Sequence, residues 1–341
     1  MIGIGAGDPE HLTLQAAAAI GRAEVFFEID KGVPDLAALR DTLLARHARP
    51  DHRVVTAPEV PRDRDPADYP AEVAAWQAAR ADAYAAMIDA ELPPGGVGAF
   101  LVWGDPEHLT LQAAAAIGRA EVFFEIDKGV PDLAGLRATL LARHARPDHR
   151  VVTAPEVPRD RDPADYPAEV ATWQAARADA YAAMIEAELP PGGVGAFLVW
   201  GDPALYDGTL RLLHGVAPDL NVVPIPGISS VQALAAAHGL ILNRVGEPVL
   251  ITTGRRLAER GMPADVPDVV VMVDGRCAFA ELPDTDLDIY WGAYLGTPRQ
   301  LLIAGDLRAV ADKIVERRAA ARAAAGWIMD TYLLRRRTLS S

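Results

Sequence analysis

A near-identical internal repeat limits what this chain can fold into more than any other feature of its sequence. Residues 7–103 recur as residues 104–200 at a constant offset of 97. The copies differ at four positions only, which are Ala38/Gly135, Asp41/Ala138, Ala75/Thr172 and Asp89/Glu186. Solenoid repeats are typically about 20 to 50 residues long, divergent, and present in three or more copies. We therefore interpret the repeat as a recent tandem duplication rather than as a solenoid.

The joints of the repeat support this interpretation. The tripeptide Gly-Asp-Pro begins at Gly7, at Gly104 and at Gly201. The first two occurrences are followed by EHLTLQ and the third by ALYDG, so two different loops share one tripeptide, where a crossover could occur. Removing the 97 residues of one copy from the 341-residue chain leaves 244 residues, which we take as the natural unit of interpretation.

Composition and charge exclude several classes of protein. The formal net charge is -14, so the chain repels nucleic acid and anionic membrane surfaces. No apolar run is long enough to cross a bilayer, and the first residues lack the pattern of a secretion signal, which predicts a cytoplasmic protein. The single cysteine, Cys277, cannot form an internal disulfide or a structural zinc site and is best interpreted as a small buried filler.

Strands and helices alternate along the unit. We predict strands at MIGIGAG, EVFFEID, RVVTAP and GVGAFLVW, and helices at LTLQAAAAIGRA, DLAALRDTLLARH and residues 69–92. GVGAFLVW has no polar alternation and is bounded by glycine, as is typical of a strand buried on both faces. This alternation predicts a parallel sheet covered on both faces.

A second α/β region follows. After GDPALYDG we predict a helix, a strand at NVVPIP, and a helix in PGISSVQALAAAHG that Ser229 or Ser230 caps and that ends at Gly239. Residues 240–248 lose periodicity, which places a domain boundary near residue 244. The region beyond begins at PVLITTG and contains a charged helix from Leu307 to Ala325.

Two familiar kinds of site do not fit. GIGAGDP resembles a phosphate-binding turn, but a dinucleotide fingerprint needs glycine where this chain has Asp8, whose carboxylate would repel a pyrophosphate. This disfavours a nicotinamide oxidoreductase, which would show itself by binding a nicotinamide cofactor. The histidines lack metal-ligand spacing, so we predict no metal and interpret them as solvated helix or loop residues.

Three loops together indicate one ligand cleft. GIGAGDPEHLT, VWGDPALYDG and PIPGISSVQA each follow a predicted strand, and their glycines let the backbone approach a ligand closely. In this order, and with GTPRQ at Gly296, they resemble the tetrapyrrole methylase family. That resemblance implies two α/β domains with S-adenosylmethionine bound in the cleft between them, and a homodimer.

Residues that contact the methyl donor are implied by the same resemblance. Carried over position by position, they are Ala6, Trp200, Gly201, Asp202, Leu205, Ser229, Ser230, Met272 and Gly296. Ala6 stands where relatives often have proline. Three segments, EVFFEIDKG, DIYWGAYLGTPRQ and GWIMDTYLLRRR, are similar to a subgroup that methylates precorrin-5, loses an acetyl group as acetate and gives precorrin-6A. Two alternatives remain: a methylase of the family acting on a different precorrin or on a modified protein histidine, and an inactive product of a duplicated gene.

The expected chemistry needs positioning more than acid-base catalysis, so the sequence identifies no definite catalytic residue. Water for acetyl loss could be guided by Asp8, Asp202 or Tyr206, although loop residues of these types commonly act as caps or turn formers. The substrate carries many carboxylates. Candidates to bind them are Arg244, Arg255, Arg256, Arg276 and Arg299, with a solvated surface as the alternative for each.

One strand belongs to both copies. Residues 97–103 can close the first copy or open the second, and loop entropy does not decide, because doubling a loop costs only about 0.6 kcal/mol. We favour the second arrangement. It divides the chain into a duplicated partial α/β half-domain (1–97), an N-terminal methylase domain (98–244) and a C-terminal methylase domain (245–341), with at most one donor site.

Overall fold

In a computed structural model, the structure describes residues 2–3, 12–30, 34–58, 79, 98–102, 109–127, 131–155, 157–158, 166–216, 221–284, 286–297 and 299–337. The chain separates into two compact units, Met1–Leu111 and Gln112–Ser341. Each unit is α/β, as predicted. None of the helices described in either unit is both long and apolar enough to span a membrane.

The first unit contains one parallel sheet. Its elements are β1 (Ile2–Gly3), α1 (Leu14–Arg22), β2 (Val25–Asp30), α2 (Pro34–His47), β3 (Arg53–Pro58) and β4 (Gly98–Val102). The strands lie in the order β1-β4-β2-β3, and every pair is parallel. The parallel sheet predicted from the alternating pattern is therefore confirmed for this unit.

Local signals explain how α1 forms. Thr13 has extended backbone, and its hydroxyl accepts a hydrogen bond from the amide of Ala16 at 3.0 Å, which satisfies one of the free donors of the first turn. Ile20 on α1 packs with Phe26 of β2 and Leu43 of α2, all of them fully buried. The core thus forms where apolar residues of two helices and the central strand meet.

The second unit begins with the elements of the second copy. They are α3 (Leu111–Arg119), β5 (Val122–Asp127), α4 (Pro131–His144), β6 (Arg150–Pro155), α5 (Tyr166–Glu188) and β7 (Gly195–Phe197). Their sheet is parallel, with the order β6-β5-β7. Val122 pairs with Gly195 just as Val25 pairs with Gly98 in the first unit, so both copies adopt the same register.

The shared strand lies in the first sheet. Gly98–Val102 pairs with β1 on one side and β2 on the other, and the boundary between the compact units falls after Leu111. This division differs from the predicted boundary between residues 97 and 98. Because β4 is already paired on both sides, β7 ends the described part of the second sheet, and its residues are partly exposed rather than buried on both faces as predicted.

The rest of the second unit is built on a mixed sheet. Its elements are α6 (Thr209–Val216), α7 (Ser230–Ala237), β8 (Val249–Thr253), α8 (Gly254–Arg260), β9 (Asp268–Met272), a 3-10 turn (Ala278–Glu281), β10 (Leu287–Ala293), β11 (Leu301–Asp306), α9 (Leu307–Ala325) and β12 (Asp330–Arg336). The strand order is β11-β10-β12-β9-β8, in which β8 and β9 are parallel and the other pairs antiparallel.

Successive side chains of β9 point to opposite faces of this sheet, and each face packs against its own hydrophobic core. Val269 and Val271 face a cluster that includes Leu257 of α8 and Ile314 of α9, whereas Val270 faces α7. Helix α9 has the predicted bounds, Leu307–Ala325. The segment NVVPIP does not form the predicted strand, because its two prolines lack the amide donors that a sheet ladder requires.

Candidate functional site

A carboxylate joins the second and third glycine-containing loops. Asp202 accepts a hydrogen bond from the amide of Ala204 in its own loop at 2.8 Å and another from the amide of Gly227 at 2.9 Å. Gly201 has a φ of +69°, which favours glycine, and a Cβ on Gly227 would overlap the Gly201 carbonyl oxygen. The two predicted loops therefore meet through their backbones.

The third loop ends at the start of α7. Ser229 is buried, and its hydroxyl accepts a hydrogen bond from the amide of Val231 at 3.2 Å. The same hydroxyl donates to Gln232, so Ser229 acts as the N-cap of the helix. Ser230 is the first helical residue and is half-buried. This confirms the predicted cap and places both serines beside Gly201, whose Cβ would lie 3.6 Å from the Ser229 Cα.

One apolar cluster contains predicted donor residues from two distant segments. Leu205 of the second loop and Met272 at the end of β9 are both partly buried against Val231 and Leu234 of α7. Leu295, the residue before Gly296, belongs to the same cluster. The structure thus brings together residues that are more than 60 positions apart in sequence.

The predicted residues of the second α/β region share one end of the five-stranded sheet. Thr253 of β8 pairs with Met272, Met272 pairs with Thr331, and Ala293 at the end of β10 pairs with Asp330. Gly296 follows β10 with a φ of +71°, and its amide donates to the Gln300 side chain at 2.9 Å. This end of the sheet, from Gly254 through Met272 to Gly296, is called the ligand end below.

The surroundings of Trp200 bear on whether these residues fit a bound methyl donor. Its indole nitrogen is buried and has no hydrogen-bond acceptor in the described part of the chain. A buried donor without an acceptor costs about 1–3 kcal/mol, and a ribose or purine acceptor beside Gly201 would remove that cost. The Arg137 guanidinium lies 6.0 Å from the centre of the Trp200 ring. A hydrogen-bond acceptor of such a donor therefore fits beside this indole.

The five candidate arginines occupy two opposite ends of the sheet. Arg255 and Arg256 follow β8, Arg276 follows β9, and Arg299 precedes β11, so these four lie at the ligand end and are exposed. Arg244 instead lies 3.6 Å from the carboxylate of Asp268 and donates to the carbonyl of Arg336.

Asp268 begins β9 and is fully buried, about 13 Å along the strand from Met272. The structure therefore places Arg244 away from the other four arginines, at the end of the sheet where it and Arg335, which lies 2.6 Å from the same carboxylate, face Asp268.

The candidates for guiding water differ in what they contact. Both carboxylate oxygens of Asp202 accept backbone amides, which is the arrangement of a loop-tying residue. Tyr206 is 49% exposed, has a φ of +56°, and its hydroxyl donates to the carbonyl of Ile251 at 3.4 Å. Asp8 lies outside the described residues, as does Ala6 among the predicted donor contacts.

Two residues at the site were not singled out from the sequence. Gly227 lies in the loop PIPGISSVQA, but its contact with Gly201 depends on two distant segments meeting and has no local sequence signal. Asp274 follows the buried strand β9 and is itself buried, with its carboxylate bonded to the amide of Ala278 at 2.7 Å. An Asp-Gly pair directly after a run of valines was the signal that could have drawn attention to it.

Comparisons with known proteins identify the family of this chain and several relatives. Residues 96–311 match the family described as Tetrapyrrole (Corrin/Porphyrin) Methylases. The chain is 47% identical over 240 residues to a precorrin-6A synthase [deacetylating] from Sinorhizobium sp, covering 68% of this chain and 92% of that protein. It is 30% identical over 181 residues to a precorrin-2 C(20)-methyltransferase from Sinorhizobium sp, covering 51% and 70% respectively.

A solved structure matches as well. The crystal structure of a cobalamin synthesis related protein (CobF) from Corynebacterium diphtheriae has 39% sequence identity and a TM-score of 0.59, and the match covers 68% of this chain and 94% of that one. The family match begins two residues before β4, and it includes both the joined loops and the ligand end of the five-stranded sheet. The chain therefore belongs to the tetrapyrrole (corrin/porphyrin) methylase family.

Proposed function

We propose that this chain transfers the methyl group of S-adenosylmethionine to a ring carbon of precorrin-5 and releases acetate, giving precorrin-6A and S-adenosylhomocysteine. The relative named precorrin-6A synthase [deacetylating] supports the substrate, since the match covers 92% of its length at 47% identity. The structural observation that carries the proposal is the hydrogen bond from Gly227 to Asp202, which joins two predicted donor-binding loops. Methylation of another precorrin is the second candidate, because a precorrin-2 methyltransferase also matches, at lower identity and coverage.

The proposed mechanism is mainly one of positioning. When bound, S-adenosylmethionine supplies a methyl group on a sulfonium, which is already an activated leaving group. The backbone at Gly201 and Gly227 and the indole of Trp200 would bind the donor, while Leu205 and Met272 would exclude water from it. Correct placement of two reactants can lower a barrier by about 7–11 kcal/mol, so no strong catalytic base is required for the transfer.

Loss of the acetyl group requires a water molecule. Of the described candidates, Tyr206 fits this role better than Asp202, because both oxygens of Asp202 already accept backbone amides. The Tyr206 hydroxyl makes one long bond to a carbonyl, and nearly half of the residue is exposed. We therefore assign Tyr206, rather than Asp202, to guiding water.

Exposed arginines at the ligand end would bind the substrate carboxylates. Replacing Arg255 and Arg256 together by glutamate should raise the KM for precorrin-5 by about tenfold or more and change the KM for the donor by less than about twofold, because charge-assisted hydrogen bonds contribute about 1.5–3 kcal/mol each. Steady-state kinetics with each substrate varied would measure both constants. Arg317→Glu, on the exposed side of α9, is the matched control. Equal effects on the two KM values would contradict the assignment.

Titration calorimetry and product analysis test the proposed function. The chain should bind S-adenosylhomocysteine with one site per molecule and should form one acetate for each methyl group transferred to precorrin-5. Methyl transfer to precorrin-2 without acetate would favour the second candidate. No affinity for S-adenosylmethionine or S-adenosylhomocysteine would overturn both.

We also infer a homodimer, which light scattering on the purified chain would test. The support is the family resemblance alone. The dimer interface would have to accommodate the extra copy of residues 7–103 or exclude it. A monomer across the micromolar range would contradict the inference.

A further inference from the structure

A strained residue lies at the ligand end of β9. Val273 has a φ of +55° and is 68% exposed. A β-branched residue rarely adopts this left-handed conformation, and such residues persist only when the surrounding structure holds them. Val273 follows Met272, which packs in the apolar cluster with Leu205 and α7. Something must therefore hold the chain in this conformation beside the proposed donor site.

Asp274 makes the contacts that hold it. Its carboxylate accepts hydrogen bonds from the amide of Arg276 at 2.9 Å, the amide of Ala278 at 2.7 Å and the hydroxyl of Tyr332 at 2.7 Å. Only 7% of Asp274 is exposed. The turn after β9 is therefore bound to a buried carboxylate at two of its amides and to β12 through Tyr332.

The backbone of Asp274 is held by a further contact, in addition to those of its side chain. Its carbonyl accepts a hydrogen bond from the Arg318 guanidinium at 2.8 Å. Arg318 also pairs with Asp330 at 2.8 Å, and the Trp291 indole donates to the same carboxylate at 3.0 Å. Helix α9 and β12 thus contact the residue after Val273, and β10 supports Arg318 through the hydrogen bond from Trp291 to Asp330.

The Asp274 carboxylate also packs against the start of α8. A Cβ on Gly254 would overlap the Asp274 carboxylate, so the helix can begin here only with glycine. Arg255 and Arg256 follow directly, and Arg276 follows Asp274 by two residues. One buried carboxylate therefore binds the turn after Val273 and lies against the helix start that carries two proposed substrate-binding arginines.

We propose that Asp274 is a positioning residue of the methyl-donor site: it holds Val273 in the left-handed conformation and thereby fixes Met272 and Val273 against the bound donor. This role rests on the proposed function. It assigns Val273 an apolar contact with the donor, and it explains why a strained valine stands where glycine would cost nothing.

Two variants of the full chain separate this role from a merely structural one. Asp274→Asn keeps the volume but presents an amide to groups that donate hydrogen bonds, and it should weaken S-adenosylhomocysteine binding by about tenfold and speed exchange of the Arg276 and Ala278 amides. Val273→Gly leaves every contact of Asp274 in place and removes the strain. It should raise the melting temperature or leave it unchanged, yet weaken binding by about threefold or more. A purely structural role predicts that Val273→Gly leaves binding unaffected.

Asp306→Asn is the matched control, since Asp306 caps α9 and pairs with Arg337 at the opposite end of the same sheet. It should lower the melting temperature without changing affinity. Unchanged affinity in Val273→Gly, with the unaltered chain still binding, would overturn the positioning role alone, whatever the result for Asp274→Asn. Failure of the unaltered chain to bind would overturn the proposed function and this inference with it.

Discussion

Asp202 illustrates how one residue can decide the shape of a site without reacting in it. Its two oxygens accept amides from two different loops, so removing its charge should loosen the junction rather than abolish chemistry. Asp202→Asn should weaken S-adenosylhomocysteine binding by about tenfold or more, because a charge-assisted hydrogen bond worth about 1.5–3 kcal/mol is lost. Asp207→Asn is the control, since Asp207 accepts the amide of Thr209 within its own turn. Equal losses in both variants, measured by calorimetry, would contradict the distinction.

His238 is expected to make the stability of the chain depend on pH. It caps the C-terminus of α7, and its Nε2 donates to the carbonyl of Trp291 at 3.1 Å. Burial lowers the pKa of His238 below its ordinary value near 6.5, and the hydrogen bond opposes this only in part. The unfolded chain therefore takes up the proton more readily, so the stability that His238 contributes is present above about pH 6.5 and is lost as the pH falls through the folded pKa.

Replacing His238 by glutamine should accordingly flatten the loss of stability on the acid side. Urea unfolding at several pH values between about 5 and 7.5 would measure the slope of the unfolding free energy. The exposed His214 of α6, replaced in the same way, is the control. An unchanged slope in the His238 variant would contradict the assignment.

Elements whose ends have local signals could be predicted from the sequence. Ser229 caps α7 with its own hydroxyl, so this helix begins where the pattern placed it, and it ends at Ala237, two residues before the predicted Gly239. Asp306 and Gly326 bound α9, which begins and ends as predicted. The strand predicted at NVVPIP is absent, and β7 forms but is shorter and more exposed than predicted, because a strand also needs a neighbour to pair with. The prolines prevent the first from pairing, and β7 has one described neighbour, so it is short and partly exposed.

The site was predictable to a similar extent. Each loop was visible as a glycine-containing turn after an apolar run, but the contacts that join them were not, since they depend on where distant elements meet. The arginines show the same limit. Nothing in the sequence separates Arg244 from Arg276, whereas the sheet places them at opposite ends.

The junction of the second loop with α7 tolerates no side chain at Gly227. Gly227→Ala should displace the third loop from the second and weaken S-adenosylhomocysteine binding by about tenfold, because the added methyl would overlap a carbonyl oxygen. Gly215→Ala, within α6 and with nothing nearby, is the matched control and should raise stability by about 0.5–1 kcal/mol. Wild-type affinity in the Gly227 variant would show that the two loops can separate without cost to the site.

At the scale of the whole molecule, one strand cannot complete two sheets. Gly98–Val102 lies between β1 and β2, while the family match begins at residue 96 and so assigns the same strand to the second copy. Both assignments are possible because GVGAFLVWGDP occurs twice, at residues 96–106 and 193–203. The chain has only one first strand, MIGIGAG, to supply to them.

Removing residues 104–200 should resolve this conflict. In the shortened chain Gly98–Val102 runs directly through Trp103 into the Gly201–Asp202 loop, so the strand order β1-β4-β2-β3 would lead into the donor site. We expect the shortened chain to bind S-adenosylhomocysteine about tenfold more tightly than the full chain and to unfold in a single cooperative transition, measured by calorimetry. Removing residues 7–103 gives the same sequence except at the four differing positions and should behave alike. Equal affinity in the full and shortened chains would show that the extra copy folds without disturbing the site.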